Sequence, residues 1–418
     1  MTHVLFVDSN VPGFDTMRIA LDRGYVVSFL QPKHRLYTDT DLTKSVKAGV
    51  HNLISIENPT SFYEVARAMA LIQSVLPIDG VITQLEPCVD AVAKACVVHN
   101  IRFTNATAVQ NSKNKRKARE LVEQAKLKSG FHAIGKTADD VGKIAARYGK
   151  PIVVKPQVAF DSILPVAAQT SQEAKQAAQD ILDRIDDLAP EIRGQIANGL
   201  LVEELLVGPL VSIELGLLDG EFFRFMISGR PRAKANDCIK MGTSMPAQIS
   251  FEDQENCCVY AEQVAKALGL DIGIFHIEMI LTTEGPALVE VNPRLMGCVI
   301  PSLYENVTGD CLLNHLIDIH LGKRPRWKPV APKTAITTRK LMPTEDGKLP
   351  TLIDLHWVHN QPDIIQFDPY KLNPNASVKA HDILARFQVK SDTITEADSR
   401  ANRYLSKMAE ELQIKLFE

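Results

Sequence analysis

The 418-residue sequence has no CxxC pair, no GxGxxG turn, no apolar run long enough to span a bilayer, and no repeat or low-complexity tract. Each absence removes a class of function. Its seven cysteines, an odd number, are scattered at 88, 96, 238, 257, 258, 298 and 311, so neither a paired-thiol zinc site nor a disulfide framework is expected. They read as buried or free thiols in a reducing compartment. Cys257 and Cys258 fall on a helical pattern, where one thiol should face the core. An excess of one charge is missing too: 47 Lys+Arg against 50 Asp+Glu leave a net charge of −3. That balance argues against a broad nucleic-acid or anionic-membrane surface and leaves room for a local basic pocket. The start, MTHVLFVDSN, runs into a strand without the basic region and cleavage site of a secretory leader, so a cytoplasmic setting is expected.

What is present is a soluble composition, 45% hydrophobic and 23% charged, on a chain too long for one ordinary core. Two or three domains are expected. HVLFVD, the amphipathic FDTMRIALDRG, YVVSFLQP, VITQ and EPCVDAVAKACVVHN alternate strand with helix, which predicts a parallel α/β domain over 1–107. Its ligand crevice should open at the strand ends near Asp8 to Gly13 and Gln84 to Cys88. A second domain, 108–330, begins with the basic helix SKNKRKARELVEQAKL and continues through the strand PIVVKP to the strand, turn and hairpin pattern LLVEELLVGPLVSIELGLLDGEFFRFMIS. The Pro-rich KRPRWKPVAPK leads into a tail, 331–418, of short strands and one polar helix. This tail reads as a small α+β cap that could serve site closure or homodimer contacts.

The alternation in GIFHIEMIL puts His276, Glu278 and Ile280 on one face and Phe275, Ile277 and Met279 on the other. After the short TTEGP loop, ALVEVNPR carries Glu290, Asn292 and Arg294 at every second position. Centring the hairpin on Glu284 places Glu278 opposite Glu290 and His276 opposite Asn292. Two like charges facing each other between Phe, Ile, Val and Leu need compensation. A divalent cation held by Glu278, Glu290 and the Asn292 amide oxygen would supply it, and hard oxygen ligands suit magnesium, with manganese as a substitute. Arg294 cannot lose its proton and could hold charge on a transferring phosphoryl group. An exposed polar hairpin with a surface arginine is the other reading of these residues. His276 faces the same side and reads as a supporting or packing residue rather than a general base.

Together these segments resemble the ATP-grasp superfamily, most closely its carboxylate–amine ligases of the L-amino acid ligase kind, over about residues 1–330. The resemblance implies an ATP-grasp fold preceded by the parallel α/β domain, with two lobes hinged near 200–208. It implies ATP as cofactor and Glu278, Glu290 and Asn292 as magnesium ligands. Lys115 in the basic helix and Lys155 in PIVVKP match the family's nucleotide-binding lysines, and Ser162 sits where its loop serine would. Glu203, Glu204, Leu205 and Leu206 match the hinge that binds adenine, and Glu214 matches a carboxylate often found on the next strand. Arg294 would steady an acyl phosphate, and Arg230 and Arg232 in ISGRPRAKAND would grip the acid substrate or assist Arg294. Two departures stand out. KPQVAFDSILPVAAQ has no glycine where the family has a glycine-rich phosphate loop, and Leu210 occupies the place of a ribose-binding carboxylate.

The expected activity is ATP-dependent joining of a carboxylic acid to an amine, preferably two amino acids giving a dipeptide, through an acyl phosphate. Small molecules are the expected partners, with no nucleic acid and no membrane. The departures keep two alternatives open: a degenerate protein that binds without ligating, and a ligase whose acceptor is a carrier-protein thiol or a nucleotide-pathway amine. Cys298 and the GTSMP turn at 242–246 would border the substrate pocket.

Overall fold

All five residues of the first strand, β1 (His3–Val7), are buried, as expected where helices cover both faces of a sheet. With β2 (Val26–Pro32), β3 (Asn52–Ile56) and β4 (Gly80–Ile82) it forms a parallel sheet of order β3-β2-β1-β4. The chain reverses its winding between β3 and β4, and beyond the carboxyl ends of β1 and β4 the side chains of Asp8, Ser9, Gln84 and Cys88 are buried. Thr16 donates to Gln84 Oε1 there at 2.8 Å, and Cys88 Sγ lies 3.7 Å from Asp8 Oδ2.

The computed structural model describes all residues except 35, 36, 38, 158–164, 186–198, 235 and 298. Ser162, Cys298 and most of the glycine-free stretch after Lys155 therefore lie outside the described residues.

A four-stranded antiparallel sheet follows, of order β5-β8-β6-β7, from β5 (His132–Gly135), β6 (Ile152–Pro156), β7 (Val166–Ala168) and β8 (Leu200–Glu204). Helices Ala138–Tyr148 and Ser171–Ile185 supply its core. The first starts at a capping box between Thr137 and Asp140 and ends at Gly149.

The largest sheet has eight antiparallel strands: β9 (Leu210–Leu218), β10 (Glu221–Gly229), β13 (Ser244–Met245), β14 (Gly273–Thr282), β15 (Gly285–Asn292), β16 (Ala335–Leu341), β18 (Ile364–Pro369) and β20 (Ala385–Ser391). Its order is β15-β14-β9-β10-β13-β16-β20-β18, so the strands of the tail continue the sheet through β13. Two ribbons stand apart, β11 (Arg232–Ala233) with β12 (Asn236–Lys240), and β17 (Gly347–Lys348) with β19 (Ser377–Val378).

Helix Phe251–Leu268 packs Tyr260, Ala261, Val264 and Leu268 against Phe275, Ile277, Met279, Leu288 and Val291. Both Cys257 and Cys258 are buried, not one of them, because β10 covers the helix beside β9 and β14. The six described cysteines are free thiols. Among the described residues, no helix is long and apolar enough to cross a membrane.

Candidate active site

One face of β14 fills the core, so its other face carries the polar residues. Glu278 lies opposite Ser212 of β9 on one side and Glu290 of β15 on the other, while His276 lies between Glu214 and Asn292. The pairing expected from the sequence is the one observed. Beyond it the register shifts: Met279 faces Leu288, which leaves Val289 as a bulge residue. The Val289 carbonyl accepts instead from Arg119 Nη2 at 2.7 Å.

Each carboxylate of the facing pair has its own lysine. Lys115 Nζ is 3.0 Å from Glu290 Oε1, and Lys240 Nζ is 2.5 Å from Glu278 Oε2. On the Oε1 side of Glu278 stand His276 Nε2 at 3.3 Å and Arg230 Nε at 3.8 Å. Glu278 is 2% exposed and His276 1%. Burial alone would raise the Glu278 carboxyl, but Lys240, the hydrogen bond from His276, and Arg230 hold it well below the usual carboxylate range. The same contest at Glu290, burial and Glu278 against Lys115 and Lys240, also ends below that range. Burial opposes a charged His276, and the carboxylates of Glu214 and Glu278 overcome it, so its pKa is raised.

Glu214 uses both oxygens locally. Oε1 meets His276 Nδ1, and Oε2 accepts the Met296 amide at 3.2 Å. It thus fastens the segment after β15 to the site.

The four-stranded sheet contributes a second ionic cluster. Glu203 contacts Lys155 Nζ with one oxygen and lies 3.0 Å from Arg119 Nε with the other. Burial works against its charge, yet Arg119 and Lys155 lower it to about 2. Lys155 itself is pushed down, chiefly by burial and with help from Arg119 and Lys115, against the pull of Glu203. Lys115 and Arg119, four residues apart on helix Lys115–Gln124, therefore reach the Glu290 and Glu203 clusters from one helix face.

Other expected residues are distributed unevenly. Arg230 belongs to the cluster: it donates to Thr243 Oγ1 at 2.6 Å and lies near Met296 Sδ. Arg232 does not, since it donates to the Gly208 carbonyl at 2.5 Å. Arg294 is held at 2.9 Å by Glu86, from the first turn of helix Glu86–His99 in the parallel domain. At the hinge, the amides of Glu204 and Leu205 already donate to the carbonyls of Phe131 and Pro151, and Glu204 Oε2 accepts from Phe131 N. Leu205 and Leu206 are half-buried, and Leu210 is buried at the start of β9. Gly208 has φ +143° with the Leu281 carbonyl 2.0 Å from where a Cβ would stand, so a side chain there would displace the hinge.

Sequence reasoning missed two partners, Lys240 and Glu86. Lys240 is 38 positions from Glu278 with no motif linking them. Glu86 lies within the crevice segment expected from the strand ends, but its pairing with Arg294 has no sequence signal.

Chemically, Glu278, Glu290 and Asn292 offer two carboxylates and an amide on neighbouring strand positions, a donor set that fits a hard divalent cation. Among the described residues, no three His, Cys, Asp or Glu are arranged to hold a metal by themselves, so such an ion would also need oxygens from Asn292 and a ligand. The Nε atoms of Arg230 and Arg294 are buried without a hydrogen bond. That of Arg294 is a donor left over for an anion, whereas that of Arg230 already faces Glu278.

Residues 148–302 match the family of the ATP-grasp domain. A protein named y4rH from Sinorhizobium fredii is 26% identical over 276 residues, 65% of this chain and 55% of that protein. Alanine–anticapsin ligase from Bacillus subtilis is 24% identical over 298 residues, 64% of this chain and 61% of the ligase. The chain thus spans little more than half the length of these curated relatives. An L-amino acid ligase from Bacillus licheniformis superposes with a TM-score of 0.76 at 17% identity, covering 98% of both chains. The chain carries an ATP-grasp domain and has the ATP-grasp fold.

Proposed function

We propose that the ATP-grasp domain works as an ATP-dependent ligase joining a carboxylic acid, an amino acid by preference, to an amine. The observation that carries this reading is the facing pair Glu278 and Glu290, with Glu278 kept charged in a buried place beside Arg230. A surface hairpin would have no use for that arrangement. The names of the ligases from Bacillus support the reaction class.

In this reading the carboxylate oxygen of the acid attacks the γ-phosphorus of ATP, the bond to ADP breaks, and an acyl phosphate forms. The amine nitrogen then attacks the acyl carbon, phosphate leaves with its electron pair, and the amine loses a proton. Glu278, Glu290 and Asn292 would hold magnesium, whose charge offsets that of the phosphates when bound. Lys155 binds phosphate oxygens as a point charge, and Lys115 adds its positive charge to the phosphate side while staying on Glu290. Arg230 and Arg294 orient the acyl phosphate and stabilise its developing charge. Glu86 positions Arg294, and Glu214 positions both His276 and the Met296 backbone.

The test is release of ADP and phosphate from ATP and magnesium across a matrix of amino-acid pairs, with products read by mass. An amide product for particular pairs supports the reading and names both substrates. A thioester with a thiol acceptor would instead favour a carrier-protein acceptor. Nucleotide binding without turnover on any acid, amine or thiol would make the protein a non-ligating binder, the reading that Leu210 favours.

A further inference from the structure

Glu278 is almost fully buried, and its two oxygens have different company. Oε1 faces His276 and Arg230 inside the site, whereas Oε2 is taken by Lys240 at 2.5 Å. Lys240 does not belong to the sheet that carries Glu278. It is the last residue of β12, in the ribbon with β11, and that ribbon also lies against β7 of the four-stranded sheet. Its side chain is 34% exposed against 3% for that of Glu278. The ammonium therefore reaches in from the open side of the site on a flexible stem, and it can leave the way it came.

A divalent ion on the Glu278–Glu290 pair would sit within a few ångströms of that ammonium. Cations this close in a poorly hydrated place repel strongly, and one carboxylate oxygen cannot serve both at full strength. We infer that Lys240 is a resident counter-ion of Glu278 that a divalent cation must displace, so that metal and ammonium compete for one carboxylate. This rests on the reading that Glu278, Glu290 and Asn292 form the metal site. Lys115 differs: it is 9% exposed and fixed at the start of a helix, so Glu290 keeps its lysine. Lys240 thus balances the charge of Glu278 and sets how much free metal is needed to fill the site.

The experiment is a titration of the nucleotide-free full chain with Mn2+, following free ion by electron paramagnetic resonance, on the wild type and on Lys240→Met, Lys240→Arg and Glu278→Gln. The Lys240→Met variant is expected to bind Mn2+ about tenfold more tightly, the effect of about 1.4 kcal/mol of competition. Lys240→Arg, which keeps the charge, should stay near the wild type and shows that the methionine effect is not one of packing. Equal or weaker binding in Lys240→Met, with binding lost in Glu278→Gln, would overturn the competition while leaving the metal site standing. Mn2+ binding that is undiminished in Glu278→Gln, or absent from the wild type and Lys240→Met alike, would overturn both.

Discussion

Glu278 and Glu290 face each other directly across β14 and β15, and each is neutralised by a lysine from elsewhere in the chain, Lys240 and Lys115 respectively. The cost of the buried Glu278 charge beside the half-buried Glu290 is met locally.

Replacing Glu290 by Gln should lower turnover by on the order of a hundredfold or more while the fold persists, because relief of the repulsion with Glu278 offsets part of what Lys115 loses with its partner. Steady-state ADP release and a thermal melt followed by circular dichroism check both halves. Normal turnover would sink the metal-site assignment.

Glu203 makes stability depend on acid. Its folded pKa is about 2 against an ordinary 4.5, so its contribution is complete above about pH 5 and is lost as pH falls through 4.5 toward 2. The depression corresponds to about 3 kcal/mol at neutral pH. Urea unfolding between pH 7 and 3 should show the wild type losing stability more steeply than Glu203→Gln. Parallel curves for the two proteins would contradict it. At pH 7 the variant should be less stable by about 3 kcal/mol, because Lys155 and Arg119 lose their shared partner.

Changing Glu86 to Gln should reduce kcat/KM roughly ten- to a hundredfold by freeing Arg294, with the nucleotide dissociation constant unchanged. Calorimetry on the nucleotide and initial rates on the acid separate the two. Loss of nucleotide affinity with rates otherwise intact would mean that the pair merely joins the parallel domain to the sheet.

Leu210→Glu should tighten nucleotide binding if the segment after the hinge is correctly aligned with a ribose contact. Leu210 is 6% exposed, so some loss of melting temperature is expected beside the gain. An ATP dissociation constant equal to that of the wild type would count against the alignment.

Much of this was written locally. Period-two alternation in GIFHIEMIL and ALVEVN separates core residues from polar ones, and the short TTEGP loop fixes their register. The Glu278–Glu290 pairing is the one a loop centred on Glu284 predicts, although the strands reach it through the Val289 bulge rather than by unbroken register from the loop. The parallel sheet was legible because its short apolar runs alternate with helical segments.

What the chain could not show locally was decided by distant segments meeting. That Arg230 enters the site while Arg232, two residues on, turns to Gly208 depends on where β10 ends and the β11–β12 ribbon begins. The tail's strands read as a small cap, and that backbone pairing through the two-residue β13 joins them to the central sheet was set by distant segments meeting. Sequence by itself determined which residues could bear charge at the site, because side-chain type and strand period are local properties. Only the tertiary structure decided their partners, Lys240 for Glu278 and Glu86 for Arg294, because ion pairs between distant positions are set by packing and leave no periodic trace in the chain.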